Sequence, residues 1–206
     1  MEIVAHEVAK KFGNEWIIKN FSHHFTIDKP CVILGGNGSG KSTLLKIIAG
    51  FMQAGKGKVT YKKNQVEIDA AQIHQQISYA APYLELVEEF NLIESIEFQQ
   101  KFKPFVNDVS VAEVIDLSGL KHASTKPLKV FSSGMKQRLK LTLAIMANCP
   151  VLLLDEPCSN LDAKAIDWYH LMLETYSKNK LIIICSNHLQ YEYQICKTQI
   201  NTEEFK

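Results

Sequence analysis

The chain has 206 residues, 46% of them hydrophobic and 22% charged, with a formal net charge of +1 at pH 7. That length suits a single α/β domain with a substantial core, and a charge so near zero argues against nucleic acid or an anionic surface as partner. The five cysteines, odd in number and without a CxxC pair, argue against a disulfide framework and against a cysteine zinc site, and fit a reducing cytoplasm.

Glu2 to Phe25 reads as extended segments broken by a turn at Gly13-Asn14. The apolar run Cys31-Val32-Ile33-Leu34 then reads as a buried strand. Directly after it stands Gly35-Gly36-Asn37-Gly38-Ser39-Gly40-Lys41-Ser42, the pattern GxxxxGKS, leading through Thr43 into a helix from Lys41 that carries Leu44, Leu45, Ile47 and Ile48 and that Gly50 is placed to end. The glycines allow successive backbone N–H groups to face phosphates, Lys41 brings a positive charge to the outer two, and the Ser42 hydroxyl suits magnesium. The helix that follows points its positive end at the same anion. A nucleoside triphosphate with Mg2+ is therefore the first ligand to expect.

A turn and the strand Lys58-Val59-Thr60-Tyr61 come next, and Gln75 and Gln76 fall within an expected strand segment. From Pro82 to Asn148 the period changes to that of helices, over Asn91 to Lys101, Val109 to Leu117 and Lys136 to Ala147, the last with Leu139, Leu143 and Met146 on one face. Strand character resumes at Val151-Leu152-Leu153-Leu154, a helix is expected from about Asp162 to Tyr176, and Leu181 to Cys185 reads as a further strand. Strands apolar throughout indicate a parallel sheet covered on both faces. The longest uncharged stretch, Leu141 to Leu154, is too short to span a bilayer, and Met1 to Lys11 has no signal-peptide core.

Two further segments carry chemistry. Asp155 and Glu156 close a buried strand, where an open parallel sheet forms its ligand crevice, so that Asp155 suits the metal and Glu156 suits a water attacking the terminal phosphate. Phe131-Ser132-Ser133-Gly134-Met135-Lys136-Gln137-Arg138 sets two hydroxyls and a glycine immediately before a long helix, which reads as an N-cap or as an anion site.

Together these segments resemble the ATP-binding cassette (ABC) ATPase family: the phosphate loop is GGNGSGKS, the signature segment is FSSGMKQR and the metal strand is VLLLDEP. Ser159-Asn160-Leu161-Asp162 is similar to that family's D-loop, His188 to its switch histidine, and Phe12 to the aromatic that stacks on adenine. The resemblance covers nearly the whole chain. It implies an α/β P-loop fold with a mainly parallel core sheet, an N-terminal antiparallel β subdomain and a helical subdomain at about residues 83–149, all within one domain, 1–206. It further implies a head-to-tail homodimer, or a heterodimer with a related cassette. Each of its two ATP molecules would be held by the loop of one copy and by Ser132 and Gly134 of the other, with Asp162 beside them, Glu156 as general base and His188 on the γ-phosphate.

A cassette of this compact layout, similar in size to haem-exporter ATPase subunits, implies a transporter ATPase that powers a separate membrane permease from the cytoplasmic face. One departure stands out, since Pro82 occupies the position of the Q-loop glutamine. A further departure is in the signature, with Ser133 for its first glycine and Met135 for its glutamine, and only 18 residues follow His188, too few for a regulatory domain. The alternatives are an ABC ATPase outside transport, or an ATP-gated scaffold with weak turnover.

Overall fold

The pattern of apolar residues sets the elements of the computed structural model, which describes residues 1–206. In chain order these begin with β1 (Glu2–Phe12), β2 (Glu15–Thr26), β3 (Cys31–Leu34), α1 (Lys41–Ile48), β4 (Lys56–Lys63), β5 (Val66–Ile68) and β6 (Ile77–Ala80). There follow α2 (Leu92–Phe102), α3 (Val111–Ser118), α4 (Ser133–Met146), β7 (Val151–Asp155), α5 (Ala163–Tyr176), β8 (Leu181–Ser186) and β9 (Thr198–Asn201). The chain divides into two compact units, one made of Met1–Tyr79, Pro150–Glu156 and Asn179–Lys206, the other of Ala80–Cys149 and Pro157–Lys178.

The first unit holds both sheets. An antiparallel sheet in the order β2-β1-β4-β5 carries the hairpin that turns at Gly13 and Asn14, as the sequence indicates. The second sheet has the order β6-β7-β8-β3-β9, and the pairs β7 with β8, β8 with β3 and β3 with β9 are all parallel. Every residue of β3, β7 and β8 is buried, which is why these strands read as unbroken apolar runs rather than alternating ones. Ile33, Leu45, Ile48, Leu153 and Ile183 lie in one apolar cluster with Ile3, Phe21 and Phe25 of the antiparallel sheet.

Register decides what these strands deliver. Leu34 pairs with Ser186, and Asp155 pairs with Cys185, so the carboxyl ends of β3, β7 and β8 stand side by side. The segments leaving those ends are the phosphate loop, Glu156, and Asn187-His188. A crevice at the carboxyl edge of a parallel sheet is where an open α/β fold places its ligands.

The second unit is helical. Asn91 and Glu94 form a reciprocal capping box at the start of α2, and Ser110 and Glu113 do the same for α3. That box moves the start of α3 to Val111, two residues beyond the expected Val109, and Gly119 in the left-handed region ends it. Beyond Arg138, α4 is buried on nearly all sides, including Leu139, Leu141, Thr142, Ala144, Ile145 and Met146, whereas Leu143 is only half-buried.

Two further expectations need correction. The long helix begins at Ser133, not Lys136, because the Ser132 hydroxyl accepts the Met135 N–H at 3.2 Å and so caps it. Gln75 and Gln76 are not in a strand: they end a 3-10 turn, Ala70–Gln75, that Asp69 initiates, and β6 starts only at Ile77. The fifth strand of the parallel sheet, β9, carries no strong apolar run and was not expected from sequence.

Candidate functional site

Five α-helices have N-termini, and four of those are capped by a side chain: Asn91, Ser110, Ser132 and Asp162 each accept a backbone N–H of the first turn. Helix α1 is different, since its N-cap is Gly40 and no side chain caps it. Its first N–H donors therefore remain available to an external anion, with the positive end of the helix dipole behind them.

Around that helix start lies a cleft of about 230 Å³ lined by Phe12, Ile17, Asn37, Gly38, Ser39, Gly40, Lys41, Ser42, Thr43 and Glu156. Lys41 is 4% exposed, and its Nζ donates to Gly35 O at 2.8 Å and Gly36 O at 2.9 Å. It also reaches Asn187 Oδ1 at 3.3 Å and stands 4.0 Å from Glu156 Oε1. This ammonium is held at the floor of the loop by carbonyl dipoles, where an incoming phosphate oxygen is a stronger, fully charged acceptor. Phe12 is 51% exposed and presents its ring at the rim beside Ile17, a geometry suited to stacking a flat base.

Glu156 follows β7 with φ of 42°, and its N–H donates to Cys185 O at 2.9 Å. His188 follows β8 with φ of 62°. Left-handed backbone at a residue with a Cβ costs on the order of 1–2 kcal/mol, and such positions concentrate where a side chain must be aimed. Asp155, one residue earlier, is 1% exposed at the end of β7. Burial, and next the negative charge of Asp155, push the neighbouring Cys185 thiol well up, so Cys185 is an inert, protonated core residue that donates to Lys41 O.

The phosphate-loop residues, Phe12 and Glu156 are thus gathered around one cleft. Gly35 and Gly36 join it from below through their carbonyls. Asp155 and His188 lie outside its lining, the first buried beneath and the second exposed at the sheet edge.

Ser132, Gly134 and Asp162 belong to a different cavity, of about 380 Å³ within the helical unit, shared with Gly119, His122, Met135, Arg138 and Asn160. Gly134 has no room for a side chain: a Cβ there would come within 2.7 Å of Asn160 O. Arg138 is fixed over the Trp168 ring at 4.3 Å and donates through Nε to Ser118 O. Gln137, 2% exposed, donates to Pro157 O at 2.9 Å and so ties α4 to the segment that leads into α5. Pro82 lies in a third hollow, of about 710 Å³, with Tyr83, Leu84, Glu85 and Val87, and its carbonyl accepts from Lys140 at 2.6 Å.

Sequence reasoning missed Ile17 in the lining of the first cleft and two residues that brace its loop. Asn187 links Lys41 to the Asn37 side chain across the loop; its position beside His188 was the available signal. Thr202 lies beneath the loop, against Ser39, and nothing local in sequence marks it.

A family model described as ABC transporter matches residues 18–159. The uncharacterized ABC transporter ATP-binding protein YybJ of Bacillus subtilis is 27% identical over 190 residues, 92% of this chain and 87% of that protein. The cytochrome c biogenesis ATP-binding export protein CcmA of Rhizobium johnstonii is 28% identical over 91% of this chain and 88% of that one. Among solved structures, a putative ABC transporter ATP-binding protein of Pyrococcus furiosus superposes with a TM-score of 0.82 at 18% identity over the full length of both chains. The dimeric bacterial cassette MJ0796 superposes with a TM-score of 0.80 at 21% identity, covering 97% of this chain and 94% of that one.

Proposed function

This chain belongs to the ABC transporter family, and from that premise we propose that it is the subunit that binds and hydrolyses ATP to drive a separate membrane permease. It is an ATP hydrolase of the ABC type. The observation that carries the reading is the uncapped start of α1 set over Lys41, with Glu156 4.0 Å from its ammonium. An anion-receiving helix, a buried cation and a carboxylate at one sheet edge are the parts that hydrolysis of a terminal phosphate requires.

In the proposed cycle the N–H groups of the loop and Lys41 hold the phosphates, and Phe12 stacks on the base. Ser42 and Asp155 would hold magnesium. Both are hard oxygen donors, and no cluster of three or more His, Cys, Asp or Glu could hold a metal alone; magnesium suits such a site because it takes substrate phosphate oxygens and water as its remaining ligands. When bound there, the ion would supply charge neutralisation at the phosphates. Glu156 accepts a proton from the attacking water, and His188, exposed beyond β8, contacts the γ-phosphate.

The second cavity supports a head-to-tail dimer. A cleft of about 230 Å³ leaves part of a bound nucleotide uncovered, and the Ser132-Gly134 helix start of another copy would cover it with N–H donors and a hydroxyl. ATP then contacts both copies only in the closed dimer, so binding shifts the population toward closure. Asp162 caps α5 through the Ala165 N–H at 2.8 Å and is placed on the same proposed face. No helix is long and apolar enough to cross a membrane, and force would pass to a permease at the membrane's cytoplasmic face. Pro82, which has no amide side chain to offer, leaves weak turnover as the second reading.

Ser132 both caps α4 and is proposed to meet phosphate, and one substitution separates the two roles. Aspartate caps helices as well as serine does, yet it would bring a negative charge against the nucleotide. Ser132→Asp is expected to melt at the wild-type temperature while losing ATP-dependent dimerisation, read by size-exclusion chromatography with and without MgATP. Wild-type dimerisation in that variant would restrict Ser132 to its capping role.

A further inference from the structure

Thr202 stands immediately after β9, far from the phosphate loop in sequence, and is 2% exposed. Its Oγ1 lies 3.0 Å from Leu34 O, the carbonyl that enters the loop, and 2.8 Å from the hydroxyl of Ser39 within it. A hydroxyl has a single proton to give, so Thr202 donates to Leu34 O while the Ser39 hydroxyl supplies the proton of the second bond. Ser39 is itself 2% exposed, and its N–H donates to Gly36 O at 3.2 Å. These contacts close a small ring that ties the start of the loop to its middle.

The position of this pair also accounts for the first glycine of the motif. A Cβ on Gly35 would overlap both Thr202 Oγ1 and Ser39 Oγ, so the two hydroxyls occupy the volume that any larger residue would need. Thr202 is held there from both sides. Upstream, β9 pairs in parallel with β3, with Ile200 opposite Ile33 and Asn201 opposite Leu34. Downstream, the Phe205 ring packs edge-on against Phe21 at 5.1 Å.

We propose that Thr202 is a positioning residue for ATP binding, whose hydroxyl fixes the phosphate loop through Ser39 and Leu34 in the conformation that presents its N–H groups. It touches no substrate and acts through the loop alone. The inference rests on the proposed nucleotide site in that loop, and deepens it. A buried hydroxyl pair lost at this distance from the chemistry should weaken ground-state binding and leave the chemical step in place.

The test is ATP titration and steady-state hydrolysis of Thr202→Val, Thr202→Ser and Ser39→Ala, alone and with Thr202→Val added. Valine keeps the shape and removes the hydroxyl. Thr202→Val is expected to raise both Kd and KM for ATP about 3- to 10-fold with kcat changed less than about 2-fold. Thr202→Ser, which keeps the hydroxyl, should return both constants to within about 2-fold of wild type, and adding Thr202→Val to Ser39→Ala should cost little more than Ser39→Ala does. Wild-type ATP affinity in Thr202→Val would overturn the proposal, as would a weakening that Thr202→Ser fails to restore, since that outcome assigns the effect to packing. If the wild-type protein itself bound no ATP, the nucleotide-site reading would fall. Normal wild-type binding together with an unaffected Thr202→Val removes only the role of Thr202.

Discussion

Glu156→Gln should hydrolyse ATP about 10²- to 10⁴-fold more slowly than wild type, the range that a positioned general base contributes, while still binding it. The substitution is nearly isosteric and the backbone N–H stays on Cys185 O, so the left-handed turn at Glu156, φ 42°, keeps its aim. What disappears is the ability to take a proton from water. The carboxylate also stands 4.0 Å from the Lys41 ammonium, close to where the phosphates would lie, and its negative charge opposes them; neutralising it should tighten ATP binding rather than weaken it. The variant is therefore expected to accumulate an ATP-bound dimer, detected as a size shift that persists over hours with MgATP. Phosphate release at the wild-type rate would remove Glu156 from the base role.

Lys41→Ala should fail one step earlier. The ammonium is buried at 4% exposure and is the cation beneath the loop, and charge-assisted bonds to phosphate oxygens are the stronger class of hydrogen bond. Losing it is expected to weaken ATP binding on the order of 10²-fold, from one or two such bonds, with hydrolysis falling below detection at ordinary ATP concentrations. Calorimetric titration measures the first effect directly. Because Nζ also holds Gly35 O and Gly36 O, a thermal melt should accompany it. A variant that stays folded and binds ATP with unchanged affinity would place the nucleotide elsewhere.

The contrast between these two residues and the rest of the site shows what sequence carries. A glycine-rich turn between a buried strand and a helix is a local object, and so GGNGSGKS could be placed on the page from its own letters. The same is true of the doublet Asp155-Glu156, because it closes the short unbroken apolar run Val151-Leu152-Leu153-Leu154 that follows Pro150, a length and pattern that suit a buried strand. The parallel sheet followed from the unbroken apolar runs, whereas the antiparallel sheet was legible only through the likeness to the ABC family. Cap residues were harder to read. Ser110 and Ser132 moved helix starts by two and three positions, since a serine ahead of an apolar period can be either the last loop residue or part of the first turn.

Contacts across the sheet were beyond reach. Thr202 lies 163 positions from Ser39, and Asn187 146 positions from Lys41; only the parallel register of β3 with β8 and β9 brings them together. Strand β9 itself, TQIN, has one buried apolar residue among four, too weak a pattern to mark an edge strand. The signature segment was legible only through its likeness to the ABC family. By its own chemistry Ser132 reads as an N-cap, and a cap is one thing that it is.

In the proposed dimer one ATP is held by the Lys41 loop of one copy and the Ser132-Gly134 helix start of another. Mixing Lys41→Ala protein with Ser132→Asp protein tests it most directly. In the mixed dimer one site carries both lesions and the other carries neither, so phosphate release that neither variant shows alone should reappear, reaching about a quarter of the wild-type rate at equal mixing if sites act independently. No recovery on mixing, with both variants folded, would contradict a site shared between copies.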